Sequence, residues 1–238
     1  MKKLTTILIV AFVLSTSCRK DDETGINTMT ISTYNQSVSF KMDGFGEVSI
    51  DWGDDTEIEN YFLPGSQRKE FSHVYSKSTT HSITITGESI TYLDCNQKGV
   101  FKLDVTKNTA LAFLNCGYNK LTSLDVRKNP ALKDLYCYMN QLKDLDLSKN
   151  PSLEYVSCYS NQLTKIDVSY NLKLHSLMCE NNKLSAKALN DLFETLHHFK
   201  LGRTKVVSIP ENAGAADCDK TIAEDKGWRV NMNVPYIP

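Results

Sequence analysis

The sequence predicts a solenoid of 21-residue coils with a parallel β-sheet on one face, a small all-β domain before it and an α/β cap after it. Three observations predict this. Cys95, Cys116, Cys137, Cys158 and Cys179 are each 21 residues apart. Two asparagine columns (Asn119, Asn140, Asn161, Asn182 and Asn108, Asn129, Asn150, Asn171) and an aspartate column (Asp104, Asp125, Asp146, Asp167) keep the same period. Around each cysteine, as in Leu114-Asn115-Cys116, apolar and polar residues alternate with the two-residue period of a strand.

The coils come first. The unit reads x-x-L-x-x-L-x-C-x-x-N-x-L-x-x-L-D-V-x-x-N, in copies at about 88–108, 109–129, 130–150 and 151–171 with a partial fifth from 172. Leu111, Leu114, Cys116, Leu121, Leu124 and Val126 point inward if each unit is one coil. A single coil cannot bury them, but stacked coils can. Roughly six inward groups per coil, at ~1.5–3 kcal/mol each before entropy, make about five coils a workable core. The pattern resembles the leucine-rich-repeat family, most closely the short-repeat bacterial type exemplified by internalins, over roughly 88–200. The resemblance implies that the first asparagine of the unit bonds turn backbone inside the coil. It also implies that variable strand positions bind partners.

The cysteines occupy inward leucine positions, so they read as buried free thiols rather than a disulfide framework. Parallel, in-register Cβ vectors do not favour bridging, and no C-x-x-C cluster offers a metal site. Stacked aspartates repel. Either each accepts backbone N–H bonds in the following turn, or calcium bridges them, with Lys107, Lys128 and Lys149 as a nearby positive column.

The ends must hide the terminal apolar faces. At the C-terminus, Ser185 is placed to cap a helix carrying Ala188, Leu189, Leu192, Phe193 and Leu196, ended by Gly202 and bearing His197 and His198 as a surface pair. A strand follows over Lys205–Ile209, stopped by Pro210, then a short helix over Asp217–Lys226 and a last strand at Trp228-Arg229-Val230. The Ala-Asp-Cys-Asp to Asp-Lys-Gly-Trp run, which includes Cys218, resembles the closing cap of secreted bacterial repeat proteins.

Residues 28–87 have a different texture. Met29/Ile31, Val38/Phe40/Met42, Val48/Ile50/Trp52 and Ile83/Ile85 alternate as half-buried strands do. Ile50-Asp-Trp-Gly-Asp-Asp55, Phe71-Ser-His-Val-Tyr75 and Ser82-Ile-Thr-Ile85 resemble the PKD β-sandwich, without the Phe of its Trp-Gly-Asp core. The resemblance implies a structural role for His73. Asp51, Asp54 and Asp55 are either turn residues or hard calcium ligands.

Residues 1–17 read as a signal peptide: Lys2 and Lys3, then the apolar run Leu4–Leu14, too short to span a bilayer. Ser15-Thr16-Ser17-Cys18 resembles the lipobox of bacterial lipoproteins, with Ser15 in place of its usual Leu. It implies acylation of Cys18 and a membrane anchor. The rival reading is ordinary cleavage after Ser17, and both export the chain. Arg19-Lys20-Asp21-Asp22-Glu23, in a tether over 18–27, resembles the surface-export signal of certain Gram-negative lipoproteins. The implied location is the outer membrane, facing outward.

The full chain carries a net charge of −1. No basic excess points to nucleic acid, and no motif for a nucleophile, zinc site or phosphate loop is present. None of the five histidines pairs in sequence with a candidate nucleophile. The reading is a binding module without catalysis or cofactor. Aligning the copies brings Phe113, Tyr118, Tyr136, Tyr138, Met139, Tyr155 and Tyr159 onto one sheet face, with Tyr92, Asp134, Asn96, Gly117 and Glu180 in the same columns. Tyrosine gives contact area with a polar tip. Three uses remain open: adhesion to an extracellular protein, capture of a glycan by ring stacking, or a structural envelope role in which the rings only stiffen the sheet.

Overall fold

A computed structural model describes residues 27–65, 67–198 and 204–233. The signal peptide, Cys18, the Arg19–Glu23 run and Gly202 lie outside the described residues. Five strands come first: β1 (Asn27–Thr33), β2 (Ser37–Asp51), β3 (Glu59–Pro64), β4 (Lys69–Val74) and β5 (His81–Asp94). After β6 (Val100–Asp104), each coil contributes one three-residue strand: β7 (Phe113–Asn115), β8 (Asp134–Tyr136), β9 (Tyr155–Ser157) and β10 (Ser176–Met178). The chain closes with α1 (Ala186–Thr195), β11 (Lys205–Ser208), α2 (Thr221–Glu224) and β12 (Trp228–Asn231).

All twelve strands belong to one hydrogen-bonded sheet. β5 is its hinge. Along His81–Gly87 one edge pairs antiparallel with β1, and along Tyr92–Asp94 that edge pairs parallel with β7. The other edge pairs antiparallel with β2 over Thr84–Asp94, with two register shifts. β3 and β4 lie end to end on the far edge of β2. The expected boundary at 87/88 therefore falls inside one continuous strand. The alternating residues of this part are buried as their period requires: Met29, Ile31, Val38, Phe40, Met42, Val48, Ile50, Trp52, Ile83 and Ile85.

From β5 onward the coils stack in register: Leu93, Leu114, Leu135, Val156, Leu177 and Val207 are successive partners. The six inward positions of each coil are buried, and so are the five column cysteines, all free thiols. Burial pushes their pKa values far up, to about 12 for Cys95 and Cys137, so they are packing groups rather than nucleophiles.

The asparagine column is the polar counterpart. Asn140 Nδ2 donates to the Cys116 carbonyl of the preceding coil (3.0 Å) and to the Cys137 carbonyl of its own (3.1 Å). Its Oδ1 accepts from Leu121 N at 2.9 Å. Each such amide satisfies turn backbone that the short strands leave unpaired. Asn161 and Asn182 repeat the pattern. In the second column, Asn129, Asn150 and Asn171 donate to carbonyls one coil back. Asn108 has no such coil before it, and its buried amide is unpaired.

The cap differs from expectation in three details. Ser185 caps α1 as read, its side chain accepting from Ala188 N. The helix nevertheless ends at Thr195, before the two histidines. His197 is therefore not a surface helix residue: it packs edge-on against Trp228 and contacts the Lys205 ammonium. The expected helix over Asp217–Lys226 shrinks to Thr221–Glu224, with turns on both sides.

Candidate functional site

The strand register builds the face. Tyr92, Phe113, Asp134, Tyr155 and Ser176 form one column, and Asp94, Asn115, Tyr136, Ser157 and Met178 the next. Flanking residues are buried leucines and cysteines, so these side chains stand off the sheet by alternation alone.

Aromatic rings in adjacent coils stack instead of standing free. Tyr92 lies on Phe113 (4.3 Å between centroids, 11° between planes), Phe113 meets Tyr136 at 5.4 Å, and Tyr136 lies on Tyr155 at 4.9 Å. A second, shorter file pairs Tyr138 with Tyr159 (4.8 Å, 5°). The sheet repeat, ~4.8 Å between strands, is close to ring-stacking distance. Gly117 makes room for this file. A Cβ there would lie 2.6 Å from the Tyr138 ring, which leans over the glycine so that its hydroxyl accepts from Asn96 Nδ2 at 2.6 Å.

Of the seven residues read as a face, Tyr118 and Met139 are the most open, at 50% and 38% exposure. Both hold a left-handed backbone, with φ of 54° and 50°, as do Gln97, Ser160 and Asn181 in the same column. Their amides carry the inter-coil ladder past the strands: Tyr118 N donates to Tyr138 O, and Met139 N to Tyr159 O. Phe113, Tyr136, Tyr138, Tyr155 and Tyr159 are half-buried because they cover one another. Burial pushes the Tyr136 and Tyr159 hydroxyls up to about 12, so both stay neutral donors at physiological pH.

Two contributors, Arg68 and Asn212, escape a reading by columns, and Glu180 stands in its expected column but is buried rather than facing solvent. Arg68, from the segment joining β3 to β4, lays its guanidinium over Tyr92, 4.3 Å from the ring centre. Its signal was a lone arginine with no period to place it. Glu180 closes the second file and is 3% exposed, its carboxylate beside the Ser208 hydroxyl. Burial pushes its carboxyl above the usual range, despite the Ser208 hydroxyl nearby. Asn212 extends the asparagine ladder into the cap, donating to Cys179 O and accepting from Leu184 N, although it sits 30 residues after Asn182 and off the period.

The carboxylates considered for calcium have local partners. Asp104, Asp125, Asp146 and Asp167 each accept from the backbone N–H two residues on, at 2.9–3.0 Å. This is the turn reading of that column. Shallow clefts between coils on this edge are lined by Asp125, Asp144, Asp146, Lys143 and Lys165. Asp51 accepts from Gly53 N, and Asp54 from Thr56 and from His73 at 2.7 Å. His73 stacks on Trp52 (4.9 Å), and Tyr75 donates to the Trp52 carbonyl at 3.0 Å. The sandwich-like motif residues thus meet in space. Gly53 sits among them with φ 74°, where a Cβ would lie 2.4 Å from Ser82 O.

The molecule is a parallel-sheet solenoid of 21-residue coils, the leucine-rich-repeat architecture. No family model and no curated protein matches the chain. Among solved structures it is similar to the functional domain of InlJ from Listeria monocytogenes, which includes a cysteine ladder. The identity is 29% over 63% of this chain and 37% of that one, with a TM-score of 0.48. It is also similar to an internalin C2 from Listeria monocytogenes strain 4b F2365, with 17% identity over 60% of this chain and 81% of that one and a TM-score of 0.35. The chain therefore spans 37% of the InlJ chain's length. The coil register, not these likenesses, establishes the fold. Among the described residues no helix is long and apolar enough to cross a membrane.

Proposed function

We propose that the chain is an exported, non-enzymatic surface lipoprotein, anchored through Cys18, that binds an extracellular protein through Phe113, Tyr118, Tyr136, Tyr138, Met139, Tyr155 and Tyr159. In this reading 1–17 is the signal peptide, 18–27 the tether, 28–87 a PKD-like β domain that caps the first coil, 88–184 the repeats and 185–238 the closing cap.

One observation carries the choice of a protein over a glycan: the rings are stacked on one another. A sugar docks on an open ring face, and here most faces are covered by the next coil's ring. What remains outward is a fence of ring edges and neutral hydroxyls across four coils, the amphipathic contact surface of a paratope.

The test is binding of the mature chain to an array of extracellular proteins and glycans. A Tyr136→Ser, Tyr138→Ser, Tyr155→Ser, Tyr159→Ser variant, checked for folding by circular dichroism, runs beside it. Saturable binding to a protein, lost in the folded variant, is the expected result. A glycan hit lost in that variant would transfer the site to sugar capture. Binding that survives the four substitutions would remove the face from the function, and no binding at all would leave the rings as sheet stiffeners.

A further inference from the structure

Followed through β5, the sheet runs from β3 and β2 at one end, through β7 and the coils, to β12 in the cap at the other. The segment that carries Cys18 joins near the first of these ends. Asn27 opens β1 opposite Gly87, Gly87 stands opposite Val48, and Val48 opposite Tyr61 of β3. Three strand spacings of ~4.8 Å therefore separate Asn27 from β3. The chain from Cys18 to Asn27 reaches at most ~30 Å. An acyl group on Cys18 lies well within reach of the β3 edge.

This edge exposes a pair of phenylalanines. Phe62 stands opposite Glu47 and beside the buried Leu63, so alternation turns it outward. Phe45 follows the buried Met42 and Gly44 and is turned outward in the same way. The two rings meet edge-on at 5.9 Å and are 65% and 60% exposed for Phe45 and Phe62. Ile58, just before β3, is exposed as well. The coil tyrosines cover one another face to face, whereas these rings leave their faces to solvent. Open apolar surface of this kind marks a contact with another body. Charge does not choose that body. Arg68 and Lys69 are balanced by Glu47 and Glu59, and three of the four are engaged with rings of this chain: Arg68 over Tyr92, Lys69 over Tyr61, and Glu59 accepting from the Tyr61 hydroxyl.

We propose that Phe45 and Phe62 form a membrane-contact patch, dipping into the interface of the bilayer that holds the Cys18 anchor. This rests on the reading of Cys18 as acylated, and it adds a second contact and an orientation. One acyl chain alone holds a protein only marginally, and a second apolar contact steadies it. The strand order then sets how the molecule stands. With the β3 edge on the membrane, each further strand lies farther out, and the cap is farthest. The tyrosine columns follow the stacking direction, so they rise from the surface as a side wall that a partner meets laterally.

The test couples residues 18–238 through Cys18 to a maleimide lipid in phosphatidylcholine vesicles that contain brominated phosphatidylcholine. The six other cysteines are buried, so Cys18 takes the coupling. Phe45→Trp and Phe62→Trp are the reporters, and Leu172→Trp, equally exposed but in the last coil, is the control. Trp52 and Trp228 are buried and common to all three chains. Bromolipid should quench the two reporters about threefold or more beyond the control, and added salt should not change this, because the contact is apolar. Reporters quenched no more than the control would overturn the proposal. So would a Phe45→Ser, Phe62→Ser variant that loses self-association or a protein partner while the reporters stay unquenched, since the pair would then belong to a protein contact. The anchor is tested apart, by mass spectrometry of the native N-terminus. An unacylated Cys18 sinks the anchor reading, and unquenched reporters on a chain shown to be acylated sink the patch alone.

Discussion

The solenoid and the N-terminal β part share one sheet but are built by opposite rules. In the coils, a residue's neighbour in space lies 21 positions away, so one packing solution repeats and every column has one meaning. In the β part the offsets share no value. Thr33 donates to the Lys98 carbonyl 65 positions on, Tyr75 to the Trp52 carbonyl 23 back, and Phe40 stacks on Phe71. Repetition makes a surface extensible, since a binding face grows by adding coils. The irregular part makes an end, because its antiparallel strands close off the edge that a parallel stack leaves open. β5 joins the two by serving both along one edge.

That shared strand yields the largest expected effect. Ile85 is fully buried on β5, and Ile85→Ala should cost about 3 kcal/mol. The loss should fall on the whole molecule, because β5 is a partner of β7 as well as of β1 and β2. Trp52 lies in the β part and Trp228 in the cap, so variants retaining one tryptophan each report opposite ends. Coincident urea transitions, both shifted by Ile85→Ala, fit one cooperative unit. Separate midpoints would make the β part an appended domain after all.

A smaller loss is expected within the coils. Asn140→Ala removes the amide that holds Cys116 O, Cys137 O and Leu121 N, leaving buried backbone groups orphaned. The expected cost is about 2 kcal/mol by urea denaturation. Asn212→Ala should cost a similar amount, because Asn212 makes the same bonds at the cap. If Asn212→Ala is silent, the ladder ends at Asn182 and the cap is held by its apolar contacts alone.

How much of this could be read in advance follows from the same contrast. The coil register, the inward cysteines and the sheet columns were legible because each rests on many copies of one spacing. The alternating strands of the β part were legible singly, but their pairing was not. Nothing local in Met29–Ile31 says that β1 will pair with β5 on one side and β6 on the other. The seven face residues were placed in the right columns. Their stacking was missed, since alternation gives the side a residue points to and not the tilt of its ring. Arg68 and Asn212 were missed because both reach the repeat from segments that lack its period. Glu180 stood in a face column, but its burial depends on Tyr159 and on the cap strand β11, neither of which its own coil predicts.

Glu180 also separates the last coil from its neighbours by pH. Burial raises its carboxyl in the folded chain above the unfolded value. The folded state therefore holds its proton more tightly than the unfolded state does. The resulting stability is fully present below the unfolded pKa and falls as pH rises through the folded one. Glu180→Gln imitates the protonated form. It should raise the melting temperature at pH 7 and leave it unchanged below about pH 4. A variant no more stable than wild type at pH 7 would mean that the carboxylate has a counter-charge already.

The smallest effect belongs to a column as regular as the asparagines. Asp125 is held down to about 2, first by hydrogen bonding to Arg127, and its Oδ1 accepts from Arg127 N at 3.0 Å. The sign is opposite to that of Glu180: this contribution is present above the unfolded pKa and lost as pH falls through about 2. Both partners are solvent-exposed, however, at 55% and 41% of their side chains, so water screens most of the attraction. Asp125→Asn keeps an oxygen for the turn N–H and gives up only the charge. It should stay within about 0.5 kcal/mol of wild type. Set against Asn140→Ala, this distinguishes two columns that the sequence repeats with equal strictness. Periodicity records that a position is the same in every coil, and only burial decides what the position is worth. A loss from Asp125→Asn as large as that from Asn140→Ala would break that rule and put a structural load on the aspartate edge.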